Sequence, residues 1–97
     1  MFYLKVHDTE KGKVVAGCDR DIIGETFVEG EIVLDLEEDF YKEKEADKED
    51  VKDVLDDCLT ANLVGEKIIG MLIDEGVVDK DDVMNVEDVP SVQLFFI

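Results

Sequence analysis

The sequence has 97 residues, 45% of them hydrophobic, and its 27 acidic side chains against 10 lysines and arginines give a formal net charge of −17. This length fits one domain, which we place at residues 1–97, and no apolar run approaches the roughly 18 residues of a membrane-spanning helix. Because phosphate groups are neutralised by lysine and arginine, the charge disfavours direct nucleic-acid binding and fits a basic protein partner better.

The first predicted element is a β-hairpin. Apolar and polar residues alternate over 2–7, which predicts a strand, and residues 8–12 have the composition of a turn. Residues 13–18 are expected to return as the second strand. With this turn, His7 should pair across the hairpin with Val14.

A loop and a third strand are predicted to follow the hairpin. Residues 19–24 favour a turn or a short helical loop, and Phe27 together with residues 31–36 predicts a strand. One face of that strand is expected to carry Ile32, Leu34 and Leu36. The acidic stretch 37–46 is compatible with either a frayed helix or a loop.

Two helices are predicted in the second half of the chain. Asp47 is suited to cap the first, in which apolar residues recur at three- and four-residue steps. These residues are Val51, Val54, Leu55, Cys58 and Leu59. Asn62 is expected to cap the second helix and Gly76 to end it. The residues that this second helix turns inward are expected to be Val64, Ile68, Met71 and Leu72.

The C-terminal part predicts mainly extended structure. A turn is expected at 79–82, a brief strand over 83–86, a corner at 89–90 and a final strand over 91–97, whose two apolar faces are typical of the middle of a sheet. The whole pattern predicts an α+β fold. In it, the N-terminal hairpin and further strands form a largely antiparallel sheet, with two helices packed on one face.

Cys18 is the first candidate for chemistry, because Arg20 close by would lower the pKa of its thiol. His7 is the single histidine, and the hairpin register does not place it opposite Cys18, so a half-buried hairpin residue is the favoured interpretation. Cys58 lies on the apolar stripe of the first helix and is predicted to be core. The spacing of the two cysteines predicts neither a metal site nor a disulfide framework, and no cofactor is expected.

The segment 60–66 is the stronger candidate for a ligand site. It combines small residues, an amide and a glycine at a predicted helix start, where free backbone N–H groups attract anions. The negative surroundings oppose a phosphate there, and the structural alternative is that Asn62 caps the helix while Gly65 allows close packing on the sheet. As a ligand site, it would consist of Asn62, Gly65 and Glu66, with Lys5, His7 or Cys18 nearby.

Phe40 and Tyr41 form an aromatic pair within the acidic stretch. Exposed aromatic side chains with an acidic rim would suit binding to a basic protein. The alternative is that both are tucked against the sheet.

Several segments carry a family resemblance: residues 1–7, Gly24-x-Thr26-Phe27, Phe40-Tyr41, 61–66 and Val89-Pro90-x-x-Gln93. They resemble a family of small archaeal proteins, catalogued as domain of unknown function number four-two-four, over nearly the whole chain. The resemblance implies no established activity, cofactor or catalytic residue, and it implies an association with archaeal translation or RNA processing. Members often carry His after the proline, where this chain has Ser91, which argues against a required imidazole there.

The composition also indicates the conditions under which the host organism lives. Asn and Gln are scarce, charged residues are abundant and acids greatly exceed bases, a pattern typical of adaptation to heat or salt. The opening residues lack the pattern of a secretory signal, so we expect a cytoplasmic protein.

The leading hypothesis is a non-enzymatic acidic interaction module that binds a basic protein. The competing one is a small-ligand-binding protein or enzyme with its site at the helix start around Asn62, Gly65 and Glu66.

Overall fold

The structure, a computed structural model, describes residues 1–96. Its strands are β1 (Phe2–Thr9), β2 (Gly12–Asp19), β3 (Thr26–Glu29), β4 (Ile32–Asp35), β5 (Lys44–Ala46), β6 (Thr60–Val64), β7 (Met84–Val86) and β8 (Val89–Phe95). Its α-helices are α1 (Glu38–Tyr41), α2 (Lys48–Leu55) and α3 (Glu66–Asp74). Short 3₁₀ turns lie at Arg20–Ile22 and Lys80–Asp82.

Six strands form one sheet in the order β5-β1-β2-β6-β8-β7, and β3 and β4 form a separate hairpin. Within the large sheet, β2 and β6 run parallel, and the other neighbouring strands are antiparallel. The predicted α+β fold with a largely antiparallel sheet is therefore confirmed.

The N-terminal hairpin has the predicted register, with His7 opposite Val14. Because side chains alternate between the two faces of a strand, Phe2 and Leu4 point to one face of the sheet, while Tyr3, Lys5 and His7 point to the other. The same alternation continues across the neighbouring strands and gives the sheet two chemically different faces.

Helices α2 and α3 cover the first face and seal the main core. The larger side chains that are fully or almost fully buried there include Leu4, Val15, Leu63 and Val92 from the sheet and Val51, Leu55, Ile68 and Leu72 from the helices. Their helical spacing of three and four residues brings the apolar residues of each helix onto one stripe. Burying each of these side chains contributes about 1.5–3 kcal/mol, so this face is the main source of stability.

Helix α2 begins as predicted. The Asp47 carboxylate accepts a hydrogen bond from the Asp50 N–H at 2.9 Å, and the Asp50 carboxylate accepts one from the Asp47 N–H at 3.2 Å. This reciprocal capping satisfies two N–H groups that the first helical turn leaves without partners. The helix ends at Leu55, one turn earlier than the apolar stripe predicts, and Cys58 follows it in a half-buried position against the core.

The segment 60–64 differs from the prediction. Asn62 does not cap a helix: it lies in the middle of β6, between Ala16 of β2 and Gln93 of β8. Val64 belongs to the same strand, and α3 begins only at Glu66, after Gly65. Hydrogen-bonded neighbours on both sides satisfy the backbone of this segment, and this tertiary pairing outweighs the local capping preference of asparagine.

Three further expectations are corrected in the shorter elements. The stretch 37–46 holds both a short helix, α1, and the edge strand β5. Residues 89–90 begin β8 and form no corner, because the chain reverses one step earlier at Glu87 and Asp88, which have φ values of 51° and 66°. The third predicted strand is likewise a hairpin, β3 and β4.

The final strand was predicted to lie inside the sheet. Strand β8 pairs with β6 on one side and β7 on the other, which confirms that position. The last residue of the predicted strand, Ile97, lies outside the described residues.

The second face of the sheet is only partly covered. Ala16, Cys18 and Val64 of the sheet pack there against Leu36 and Tyr41. The β3–β4 hairpin adds Phe27 and Leu34 to this smaller cluster. The cover therefore consists of one short helix and one hairpin, and the part of β6 and β8 beyond them forms the floor of an open groove.

Candidate functional site

The candidate site is a groove of about 690 Å³ between the β3–β4 hairpin and the second face of the sheet. This volume lies in the range of ligand pockets in proteins. Asn62 and Gln93, directly opposite each other on β6 and β8, form its floor. Strand β4 forms one wall, Met84 of β7 and Phe95 of β8 also line the groove, and α1 contributes Phe40 and Tyr41.

The walls of the groove are apolar and exposed. Five of the nine large hydrophobic side chains most exposed among the described residues line it: Ile32, Val33, Phe40, Met84 and Phe95. Phe95 is 66% exposed and Val33 is 57% exposed. Single exposed apolar residues are ordinary, whereas a contiguous group of them marks a surface that binds something.

The charged residues that line the groove are Asp35 and Asp82. The lining residues include no lysine or arginine, in a chain whose formal net charge is −17. The groove therefore favours a cationic ligand and repels an anionic one.

Two amides on the floor are available for hydrogen bonding. Asn62 is half-buried and Gln93 is exposed, and neither side chain takes part in a hydrogen bond among residues 1–96. Each amide offers both donors and an acceptor. The chain has three Asn and Gln residues in total, and the structure places two of them side by side in the groove.

Lys5 and His7 share this face of the sheet but hold α1 in place. Lys5 Nζ donates to the Asp39 carbonyl oxygen at 2.6 Å. The His7 ring stacks on Phe40 with 4.5 Å between the ring centroids, and His7 Nε2 donates to the Phe40 carbonyl oxygen at 2.9 Å. Both side chains lie beside the groove, and neither is among the residues that line it.

Of the two aromatic residues, Tyr41 is tucked against the sheet, whereas Phe40 is partly exposed. Tyr41 is buried against the sheet, and burial raises the pKa of its hydroxyl to about 12. Phe40 packs edge-on against Tyr41 with 5.2 Å between ring centroids and remains 36% exposed at the groove. Of these two residues, only Phe40 therefore has a substantial exposed aromatic surface.

The start of α3 is occupied by one of the protein's own carboxylates. Asp19, which is almost fully buried, accepts hydrogen bonds from the Lys67 and Ile68 N–H groups at 2.8 Å each. These are the groups that would otherwise attract an external anion. Gly65 has a φ of +126°, and a Cβ atom there would lie 2.4 Å from Asp19 Cγ, so glycine is required for this close approach.

The helix start is consequently separate from the groove. Gly65 and Glu66 do not line it, whereas Asn62 does. The sequence hypothesis of one site built from Asn62, Gly65 and Glu66 is corrected on this point, because Asn62 belongs to the sheet face and Gly65 belongs to the Asp19 cap.

Cys18 has no activated thiol. It is completely buried, and burial, followed by the negative charges of Asp19 and Asp21, raises its pKa to about 12. Arg20 turns elsewhere: its Nη1 lies 2.9 Å from Glu45 Oε1, and its guanidinium lies over the Tyr3 ring. The thiol is thus protonated at neutral pH, opposite to what a nucleophile needs.

Sequence reasoning missed most of the groove. Gln93, Met84, Phe95 and the β4 wall line it without having been candidates. The available signal was Gln93 itself, a polar amide inside an otherwise apolar strand of a chain with few amides. The position of β4 over the sheet depends on tertiary packing, which the local pattern does not contain.

The described part of the chain has neither a metal-binding cluster nor a membrane-spanning helix. Residues 1–96 contain no group of three or more His, Cys, Asp and Glu side chains placed to hold a metal ion. Over the same residues, no helix combines the length and apolar character needed to cross a membrane.

Comparisons with known proteins identify relatives of uncharacterised function. The model of the family described as "Protein of unknown function (DUF424)" matches residues 6–97. The chain is also similar to the crystal structure of an uncharacterized conserved protein from Methanopyrus kandleri, with 26% identity and a TM-score of 0.78 over 97% of this chain and 90% of that one. None of the curated proteins matches the chain.

Proposed function

The chain belongs to the family described as "Protein of unknown function (DUF424)", and we propose that it is a non-enzymatic interaction module that binds a basic protein partner in the groove. The observation that carries this proposal is that five of the nine most exposed large apolar side chains gather around a floor of two amides, in a groove whose two charged lining residues are both acidic. An association with archaeal translation or RNA processing remains a prediction. The basic partner should therefore be sought first among the proteins of that machinery.

The groove supplies the three components of protein recognition. Its apolar walls provide surface to bury, which is the main source of affinity. Asn62 and Gln93 can orient a bound segment through hydrogen bonds. The acidic surroundings attract lysine and arginine over a screening length of about 8 Å at physiological salt and repel other acidic chains.

The arrangement of the candidate catalytic groups argues against an enzyme. Cys18 lies opposite Tyr3 in the hairpin, and His7 lies opposite Val14, so the thiol and the imidazole do not form a nucleophile–base pair. The thiol is buried and His7 is engaged with α1. The groups that the groove exposes, apolar side chains and two amides, are suited to binding a partner.

Site-specific photo-crosslinking tests the proposal. A benzophenone amino acid placed at Phe95, in the groove, is compared with the same group at Val77, an exposed apolar residue that does not line it. In an archaeal lysate at physiological salt, the Phe95 position is expected to capture a defined basic protein that the Val77 position does not. Identical profiles at the two positions, or capture of acidic proteins only, would overturn the proposal.

A matched pair of charge variants then tests the captured partner. Gln93→Lys adds a cation to the groove floor, whereas Asn85→Lys makes the same change on β7 outside the groove. We expect Gln93→Lys to weaken binding of the purified partner about tenfold or more, because it places like charges together. Asn85→Lys should change the affinity less than about twofold, since the alternation of the strand points its exposed side chain away from the face that carries Met84. Equal effects would contradict binding in the groove.

A further inference from the structure

We infer that the partner enters the groove as an extended strand that pairs with the free edge of β4. This inference rests on the proposed function and specifies its mode of binding. The evidence for it is the hydrogen-bonding pattern of the β3–β4 hairpin and the nature of the side chains that line the groove beside β4.

The pairing pattern shows which backbone groups of β4 point outward. In antiparallel strands, hydrogen-bonded pairs alternate with pairs whose N–H and C=O groups point away from each other. The Leu36 N–H donates to the Glu25 carbonyl oxygen at 3.0 Å, so the next pair, Thr26 and Asp35, is of the outward type. Counting two residues further makes Val28 and Val33 the following outward pair.

The opposite edge of the hairpin confirms this count and is already occupied at Val28. The Val28 N–H points away from β4 and donates to a Glu87 carboxylate oxygen at 2.6 Å. The Glu87 N–H in turn donates to the Glu29 carboxylate at 3.0 Å. The turn between β7 and β8 thus covers the β3 edge at Val28.

The β4 edge has no such cover among the described residues. Val33 and Asp35 each present one N–H and one C=O outward, and no hydrogen bond between residues 1–96 takes up these groups. Unpaired edge groups of this kind are templates for an added strand. Because β4 lines the groove, a strand added there would lie within it.

The side chains define the kind of segment that fits. Successive residues of an added strand would point alternately towards the sheet and towards solvent. Those facing the sheet would meet Met84, Phe95 and the floor amides, and this environment favours aliphatic residues. Residues near the acidic positions of the lining would favour lysine or arginine. The partner segment is therefore an extended stretch that alternates aliphatic and basic residues.

A defined peptide tests this mode of binding. The probe is an end-blocked octapeptide of alternating valine and lysine, and its control is N-methylated at alternate residues, which removes the N–H groups on one edge. The unmodified probe should shift the NMR signals of Asn62 and Gln93 and slow amide exchange at Val33 and Asp35 about tenfold or more. N-methylation on the pairing edge should weaken binding by at least about tenfold.

A variant of the protein provides the reciprocal test. Val33→Pro removes one outward donor and no hydrogen bond to β3, a substitution that edge strands tolerate, while Val33→Thr keeps the donor. Proline is expected to weaken probe binding about tenfold and threonine less than about threefold. Should Val33→Pro fail to fold, the N-methylated peptide decides with the unaltered protein.

The outcomes separate the two proposals. Groove binding that is insensitive to both N-methylation and Val33→Pro would refute strand pairing and leave the proposed function standing. A probe that perturbs neither Asn62 nor Gln93 would count against both. Exchange protection at Val33 and Asp35 together with loss of affinity on N-methylation would establish strand addition.

Discussion

Replacing Gly65 with alanine is expected to lower the free energy of unfolding by about 3–5 kcal/mol. The residue has a φ of 126° and a ψ of 150°, a backbone conformation that strains other residues by about 1–3 kcal/mol. The new Cβ would also lie 2.4 Å from Asp19 Cγ. Asp19 would then have to move away from the Lys67 and Ile68 N–H groups, and hydrogen bonds to a charged group contribute about 1.5–3 kcal/mol.

Urea unfolding followed by circular dichroism measures this loss, with Gly70→Ala as the control in the same helix. Gly70 has no atom within 4 Å of an added Cβ, so alanine there should stabilise the protein by about 0.5–1 kcal/mol through helix propensity. In an Asp19→Ala background the contacts with the carboxylate disappear, and only the 2.8 Å approach to the Cβ of residue 19 remains. Gly65→Ala should then cost less than in the wild-type protein, by about the 1.5–3 kcal/mol of the hydrogen bonds that are no longer there to lose. An undiminished cost in that background would refute the assigned role of Asp19.

Three further predictions concern charge and reactivity. Burial is the largest cause of the raised pKa of Asp19, so protonation favours the folded state; this stabilisation is complete below the ordinary value of 3.8 and is lost as pH rises through the raised pKa. Relative to Asp19→Asn, the wild-type free energy of unfolding should therefore fall across that window, and parallel pH profiles would contradict the assignment. In a thiol titration of the native protein at pH 8, half-buried Cys58 should react at least about 100-fold faster than Cys18, whose pKa is raised to about 12; equal rates would show that Cys18 is accessible. Because the net charge of −17 is spread over a surface of 5862 Å², the melting temperature should rise from low salt to molar KCl, and a flat curve would exclude charge repulsion as a significant term.

Elements specified by neighbouring residues were predictable from the sequence. The N-terminal hairpin has strict alternation on both sides of a turn, and this fixes the register of His7 with Val14. The Asp47 cap lies three residues before its partner Asp50. Gly76, with a φ of +74°, follows the last turn of α3 as expected for a helix stop. Each of these signals acts over a few positions of the chain.

Elements specified by distant residues were not predictable. Asn62 has the composition of a helix cap, but Ala16 and Gln93 on either side make its segment a strand. The carboxylate at the start of α3 comes from Asp19, far earlier in the chain. The groove has the same origin, since its wall and floor come from segments that are separated in sequence and meet only in the folded protein.

The parallel contact between β2 and β6 has a consequence for how the molecule assembles. On one side of it, β5, β1 and β2 are joined by antiparallel pairs, and on the other side β6, β8 and β7 are joined in the same way. The β1–β2 and β7–β8 hairpins join neighbours along the chain at little entropic cost, whereas the β1–β5 and β2–β6 pairs each close a long excursion. The β2–β6 contact therefore joins the two antiparallel parts of the sheet, and the groove is complete only when the N-terminal part, whose chain continues into the β3–β4 wall, meets β6 and β8 of the floor.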